Sequence, residues 1–447
     1  MKSSFLGPAF RLLWLSELAF NLGGALMGFA LGVWVFERTN SAQQLSFTLL
    51  SAAIPALLVL PVAGALADRF DRRWLIVGSD LVQVIVVAVL ATLVMRSSLS
   101  VEHLYFINAV SAMIGAVRGP AYQAVYSSIV PVDSLTRANG LISLSRGLLQ
   151  AGAPMLAGAL MSTAGLASVV MVELILLIAG ALTVFAALSH ARHAIRSGSV
   201  ITGSSVLTGL MMNIKTALVY FTEQPLMTIL LAYVIVRESL MVLVSTMMTP
   251  LVLSTHTSAT LGLILTSAAA GGLTSSLLLI GANIKRHLMV WILVSDAALS
   301  FFVLLAGWVA ATWMWCLCAF LAAFAASVSG AASGALWMRK TPKQSRGSLF
   351  ALIGMCNLVS MCVVILCAGG IGEHVFEPAL LEGGAWASSI GSWVGTGKGR
   401  GFGFLFMVVG TACVCLSLVA LLNPRLRRLD QFVEDRPDSV ASVPSRA

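Results

Sequence analysis

Charge is what this sequence has least of. Asp, Glu, Lys and Arg make up 10% of its 447 residues, well under half of the ~25% usual in soluble domains. With 58% hydrophobic residues besides, the chain has too little polar surface to cover a water-soluble globule. It has no ten-residue segments of alternating polar and apolar residues, which excludes an outer-membrane barrel. It also has no Gly-x-x-x-x-Gly-Lys-Ser/Thr sequence, and so no phosphate loop for nucleotide. Gly395-Thr396-Gly397-Lys398-Gly399-Arg400-Gly401 has glycines and a lysine, but at the wrong spacing and with no preceding strand. It reads as a flexible lead-in to the last apolar run.

Histidine is sparse too. The six His lie in predicted loops or at helix ends, and His190-x-x-His193 is too thin a cluster for a metal site. The seven cysteines sit inside apolar runs of the second half. Cys-x-Cys on a helix points its thiols ~200° apart, so these are expected to be free, packed thiols rather than disulfides or metal ligands. No His/Asp or Ser/His set converges at membrane depth. No catalytic residue, metal or cofactor is assigned, and no enzyme is expected.

Long apolar runs are what the chain does have. They fall near 11–36, 44–66, 74–95, 103–124, 140–163, 166–188, 226–251, 258–281, 289–311, 313–337, 348–371 and 401–422, and each can cross the ~30 Å hydrocarbon core. The fold class is therefore all-α integral membrane, with twelve transmembrane helices. The first run is too long, and too polar at Glu17 and Asn21, for a cleavable signal peptide. With both termini placed inside, 22 of the 27 Lys and Arg fall on the inner side and four (Arg38, Arg96, Lys398 and Arg400) on the outer, leaving Arg237 within a helix. That asymmetry is the positive-inside rule. It explains the net charge of +9 without a nucleic-acid partner, and gives a multi-pass protein of a cell inner membrane with cytoplasmic termini.

The sequence repeats itself at a shift of 216 residues. Ser51-Ala52-Ala53 falls on Ser267-Ala268-Ala269, and Ser79-Asp80 on Ser295-Asp296; at nearly the same shift Gly115-Ala116 and Gly119 fall on Gly330-Ala331 and Gly334. Two six-helix units in the same orientation are expected, over 1–188 and 226–422, with a substrate site between them near mid-membrane. Residues 189–225 form a connector in which Leu207, Leu210, Met211, Ile214, Leu218 and Phe221 recur at helical spacing. Residues 423–447 read as a disordered cytoplasmic tail.

Gly64-Ala65-Leu66-Ala67-Asp68-Arg69-Phe70-Asp71-Arg72-Arg73 resembles the G-x-x-x-D-R-x-G-R-R/K signature of the major facilitator superfamily. The sequence departs from it at Asp71, where that family has Gly and where a residue tolerating the left-handed conformation is expected. The resemblance implies that Gly64, Asp68, Arg69, Arg72 and Arg73 form a gating loop on the cytoplasmic side. Trp14 to Gly24, Arg118-Gly119-Pro120-Ala121, Val130-Pro131 through Arg137-Ala138-Asn139-Gly140, Pro225-Leu226 and Arg346-Gly347-Ser348 are similar to the drug:proton antiporter branch. That branch includes macrolide-efflux proteins and the enterobactin exporter. In the fifth predicted helix Gly152, Pro154 and Gly158 partly match an exporter pattern; close packing of small residues explains them equally well. Gly24, Gly28 and Gly32 are expected to pack.

Ionisable residues at membrane depth cost ~2.5–3.5 kcal/mol each on insertion scales and mark function. Glu17 and Asn21 share one face of the first predicted helix. Arg237 and Glu238 lie mid-way along the seventh, ~100° apart, and are expected not to pair well with each other. Glu17 and Glu238 are the expected proton-responsive groups, with Arg237 holding one of them or an anionic part of the substrate; a fixed structural ion pair is the alternative. Asp80 and Asp296 are expected to bond the loop arginines, and Glu173 stays open. Arg118 is a gate candidate expected to face Asp68 or Asp71.

By resemblance the function is secondary active export of a bulky amphipathic small molecule (a drug, macrolide-like compound, siderophore or peptide product), driven by protons. The expected energy source is the proton gradient, and the expected state is a monomer. An importer or lipid flippase on the same fold, or a non-transporting receptor or scaffold, are the alternatives.

Overall fold

In hydrocarbon a run of apolar residues must pair its amide groups within itself, which favours helices. The computed structural model describes residues 7–130, 134–190, 218–281, 287–341, 346–427 and 429, and no strand occurs among them. The long helices are α1 (Pro8–Thr39), α2 (Ala42–Arg69), α3 (Arg72–Met95) and α4 (Val101–Ile129). Leu135–His190 follows without interruption except at Gly165, whose φ of 69° and ψ of −173° reverse the chain. The arm before Gly165 is α5 and the arm after it α6. Then come α7 (Pro225–Leu253), α8 (Ser258–Gly281), α9 (Leu288–Trp308), α10 (Thr312–Lys340), α11 (Arg346–Ile371) and α12 (Arg400–Leu422). Each coincides with one of the apolar runs. Among the described residues ten stretches have the length and composition to cross a membrane, the 50-residue Ala138–Ala187 counted as one of them. At 1.5 Å per residue that stretch is long enough for two crossings.

The turn between α2 and α3 differs from expectation. Asp71 is not left-handed: with φ −60° and ψ 113° it is the extended N-cap of α3, and its carboxylate accepts from the Arg73 amide at 3.0 Å. Asp does at this site what glycine cannot, satisfying an orphan amide of the helix that follows.

The chain forms two compact units. The first draws its described residues from Met1–Gly203, Ser245–Ala269 and Ile365–Gly403; the second from Ser204–Val244, Ala270–Val364 and Phe404–Ala447. In the first, Phe10, Leu13, Ile76, Tyr122, Val125 and Tyr126 form a core where α1, α3 and α4 meet. Trp14 on α1 donates to Ser145 on α5 (3.0 Å), and Tyr126 on α4 donates to Asn139 (2.8 Å), bracing the α4–α5 connection.

In the second unit Met227, Leu230, Leu288, Ile292, Leu336 and Trp337 form the core. Of the expected connector helix, Leu207, Leu210, Met211 and Ile214 lie outside the described residues. Phe221 packs edge-on against Trp337, with ring centres 6.2 Å apart. Large apolar side chains such as Leu58, Ile85, Phe106 and Ile280 are exposed, which an apolar solvent such as lipid favours. All seven cysteines are free thiols.

Candidate functional site: two ion clusters at membrane depth

The first cluster lies in the first unit. Glu17 is nine residues into α1 and Asp80 eight into α3, so both sit ~12–14 Å from the helix ends that adjoin the Arg72–Arg73 turn. Arg118 reaches them from α4. Its Nη1 binds the Glu17 carboxylate, and its Nε donates to Asp80 Oδ1 at 2.6 Å. The guanidinium stacks 4.0 Å above the centre of the Phe20 ring, which shields it without neutralising it. Asn21, one turn beyond Glu17, donates to Glu17 Oε1 at 3.0 Å. Arg118 and Asp80 are buried.

The second cluster lies in the second unit. Arg237 Nη2 donates to Glu238 Oε1 at 2.8 Å, and its Nε lies 3.6 Å from Asp296 Oδ2. Tyr233 donates to the same Asp296 oxygen at 2.8 Å and accepts from Ser417 at 3.1 Å. The Asp296 side chain is fully buried, whereas that of Glu238 keeps 46% of its surface exposed. Glu238 is the acid of this cluster that water or a ligand can reach.

Three expectations about pairing are corrected. Arg237 and Glu238 do pair, because a long guanidinium stem spans the ~100° between neighbours that rigid side chains could not. Asp80 is hydrogen-bonded to, and Asp296 ion-paired with, an arginine inside the helices rather than one of the loop. Arg118 meets Glu17 and Asp80 rather than Asp71, which caps α3; the Asp68 side chain lies outside the described residues. Low dielectric makes each buried carboxylate seek the nearest buried cation, and helical packing supplies one in each unit. The repeat places the clusters in register: at the 216-residue shift Glu17 falls on Tyr233, Asn21 on Arg237 and Asp80 on Asp296. Asp296, Tyr233 and Ser417 were not singled out as site residues, although the repeated Ser-Asp pair was the visible signal for Asp80 and Asp296.

The remaining residues divide. Gly64, Asp68 and Arg69 lie on the last turns of α2, whose side chains are outside the described set. Arg72 and Arg73 begin α3 beside the Asp71 cap. Gly158 packs closely on α8: a Cβ there would come within 2.7 Å of the Ser258 carbonyl oxygen. The Pro154 carbonyl presses on Gly262 of the same helix, while Gly152 faces open space. The expected packing of Gly24 and Gly28 is not found, since a Cβ at either would meet nothing within 4 Å; only Gly32 touches a neighbour, Leu45. Gly23 is the packing glycine of α1, lying against the buried Glu173 of α6. Among the described residues no group of three His, Cys, Asp or Glu could hold a metal.

Charged side chains held inside membrane helices mark a functional site rather than a lipid-facing surface. The sequence matches the family model described as Major Facilitator Superfamily over residues 13–365, and the chain belongs to that family. It is a multi-pass membrane protein of a transporter family.

Macrolide efflux protein A of Streptococcus pyogenes is 24% identical over 175 residues, 39% of this chain and 43% of that protein. The protein of the same name from Enterococcus faecalis is 26% identical over 145 residues, 32% of this chain and 45% of that protein. The chain thus spans less than half the length of these relatives. Among solved structures, a bacterial homologue of the iron transporter ferroportin in an inward-facing state superposes with a TM-score of 0.64 at 16% identity, covering 92% of this chain and 97% of that one. The peptide transporter POT in complex with alafosfalin gives 0.68 at 11% identity, covering 94% and 95%. At such identities the likeness is one of fold.

Proposed function

We propose that the protein is a proton-coupled exporter of a bulky amphipathic small molecule, such as a drug, macrolide-like compound, siderophore or peptide product. It works by alternating access in the cell inner membrane, as a monomer with both termini cytoplasmic. The proton gradient is its energy source, and no cofactor takes part. The observation that carries this reading is the charge count of the two clusters. Each sets one arginine against two carboxylates, Glu17 and Asp80 around Arg118, Glu238 and Asp296 around Arg237. Fully ionised, each cluster keeps, among the described residues, one negative charge without a cation, which is costly at membrane depth. One proton neutralises a cluster, and so can a cationic group of the substrate; the two compete for the same charge, which is the requirement for antiport. The name of the curated relatives supports the direction and the substrate class.

In a pump-deficient strain, Glu238→Gln and Arg237→Ala are each expected to cut efflux of a sensitive compound about tenfold or more, with the protein still present in the membrane. Near-normal efflux in both would reject the reading. In everted vesicles, substrate addition is expected to release protons from the lumen, and a protonophore to abolish uptake.

A further inference from the structure

The end of the first unit opposite the Arg72–Arg73 turn is assembled from segments distant in sequence. α2 begins there at Ala42, and the amides of its first turn have no partner within α2. Glu373 supplies one. It lies in the π-helical turn Gly372–Phe376 that continues α11. Its Oε2 accepts from the Gln43 amide at 2.9 Å and from Ser41 Oγ at 2.7 Å; Ser41 Oγ in turn accepts from the Gln44 amide at 3.1 Å. The negative carboxylate also meets the positive end of the helix dipole.

One turn earlier Gly369 lies so close to α2 that a Cβ there would come within 2.5 Å of Gln43 Cα and 2.7 Å of Ser46 Oγ. Helix α2 belongs to the first sequence repeat and α11 to the second. At this end the two repeats are therefore joined by close backbone contact and by one charge-assisted cap. Four residues on, Glu377 makes an equivalent cap of different consequence. Its Oε1 accepts from the Gly399 amide at 2.6 Å and its Oε2 from the Phe402 amide at 3.3 Å. Glu377 and α12 belong to the same repeat, so that cap ties no repeat to the other.

We propose that Glu373 is the gate residue of the side opposite the Arg-rich turn. Its carboxylate holds the end of α2 to α11, and release of this cap is the step by which that side opens. Alternating access requires repeats joined at one end to part there during the cycle. The α5–α8 contact at Gly158 and Gly262 is backbone packing with no directional bond between the glycines. The Glu373 cap is directional, and it is lost as soon as α2 and α11 separate. Nothing in this depends on which substrate is carried or on proton coupling.

Hydrogen exchange of the full chain in lipid nanodiscs tests it, with wild type, Glu373→Gln, Glu377→Gln and Ser41→Ala compared. Loss of the gate is expected to raise amide exchange in Glu373→Gln by about tenfold or more in three segments together: residues 42–50, 258–267 and 365–371. Glu377→Gln is expected to raise exchange only around 399–403. Ser41→Ala, which keeps the Gln43 bond, is expected to act on the same three segments more weakly. A rise in Glu373→Gln confined to the first turn of α2 would mean a local cap and overturn the proposal. So would no rise, or the same three-segment response in Glu377→Gln. If Glu373→Gln fails to fold, Ser41→Ala decides, and unchanged exchange at 258–267 in that variant counts against the gate.

Discussion

Arg118 has carboxylates on two sides and an aromatic ring on a third, so removing it strands two negative charges, that of the buried Asp80 and that of the part-buried Glu17. Arg118→Leu is expected to destabilise the folded protein by about 3–5 kcal/mol, read as a lower melting temperature in detergent. Adding Asp80→Asn should return part of that loss; equal costs with and without it would show that the two side chains are not coupled. In the second cluster Tyr233→Phe removes a hydroxyl that both donates to Asp296 and accepts from Ser417. Its expected cost is about 1–2 kcal/mol, with efflux less affected than in Glu238→Gln, because the exposed Glu238 is untouched. At this scale the sequence shows which ionisable residues lie at membrane depth, since apolar runs make them conspicuous. It does not show their partners. Arg118 reaches Asp80 across 38 positions and Glu17 across 101, and nothing local to any of the three encodes the meeting.

The glycines separate into two kinds once the helices are packed. Gly158 allows α5 and α8 to approach until backbone meets backbone, whereas Gly24 faces open space. Gly158→Val is therefore expected to cost about 1–3 kcal/mol through overpacking. Gly24→Ala should be neutral or stabilising by up to about 1 kcal/mol, because alanine is the better helix former. Thermal unfolding of the two variants side by side checks both, and equal losses would contradict the packing. At the α2–α3 turn, Asp71→Ala removes the cap of α3 and should cost about 0.5–2 kcal/mol, with Asp71→Asn losing less. The limits of the helices are legible from the apolar runs, and so is the break near Gly165, where two runs nearly touch. Which glycine packs is not, because a small residue on a helix face looks the same whether its neighbour is a backbone or empty space. The loop 372–400 shows the same limit. Its glycines read as flexible, yet Gly395, Gly397 and Gly399 hold defined positive φ values, and the Gly399 amide is bound by Glu377.

For the whole molecule, the asymmetry of Lys and Arg predicts that both termini face the cytoplasm. A fluorescent reporter that matures only in the cytoplasm, fused after residue 430, is expected to glow; a dark fusion at normal expression would reverse the orientation. The compact units do not follow the sequence repeat, for the ends of α7, α8 and α11 group with the first half of the chain.

The sequence by itself determined the solvent, the helices and the family: scarcity of charge forces the chain into lipid, and lipid forces each apolar run to satisfy its amides as a helix. Tertiary structure alone decided which carboxylate meets which arginine, which glycines touch, and which segments join at the capped end of α2. Those outcomes depend on distances between residues far apart in the chain, and helix periodicity carries no information about them.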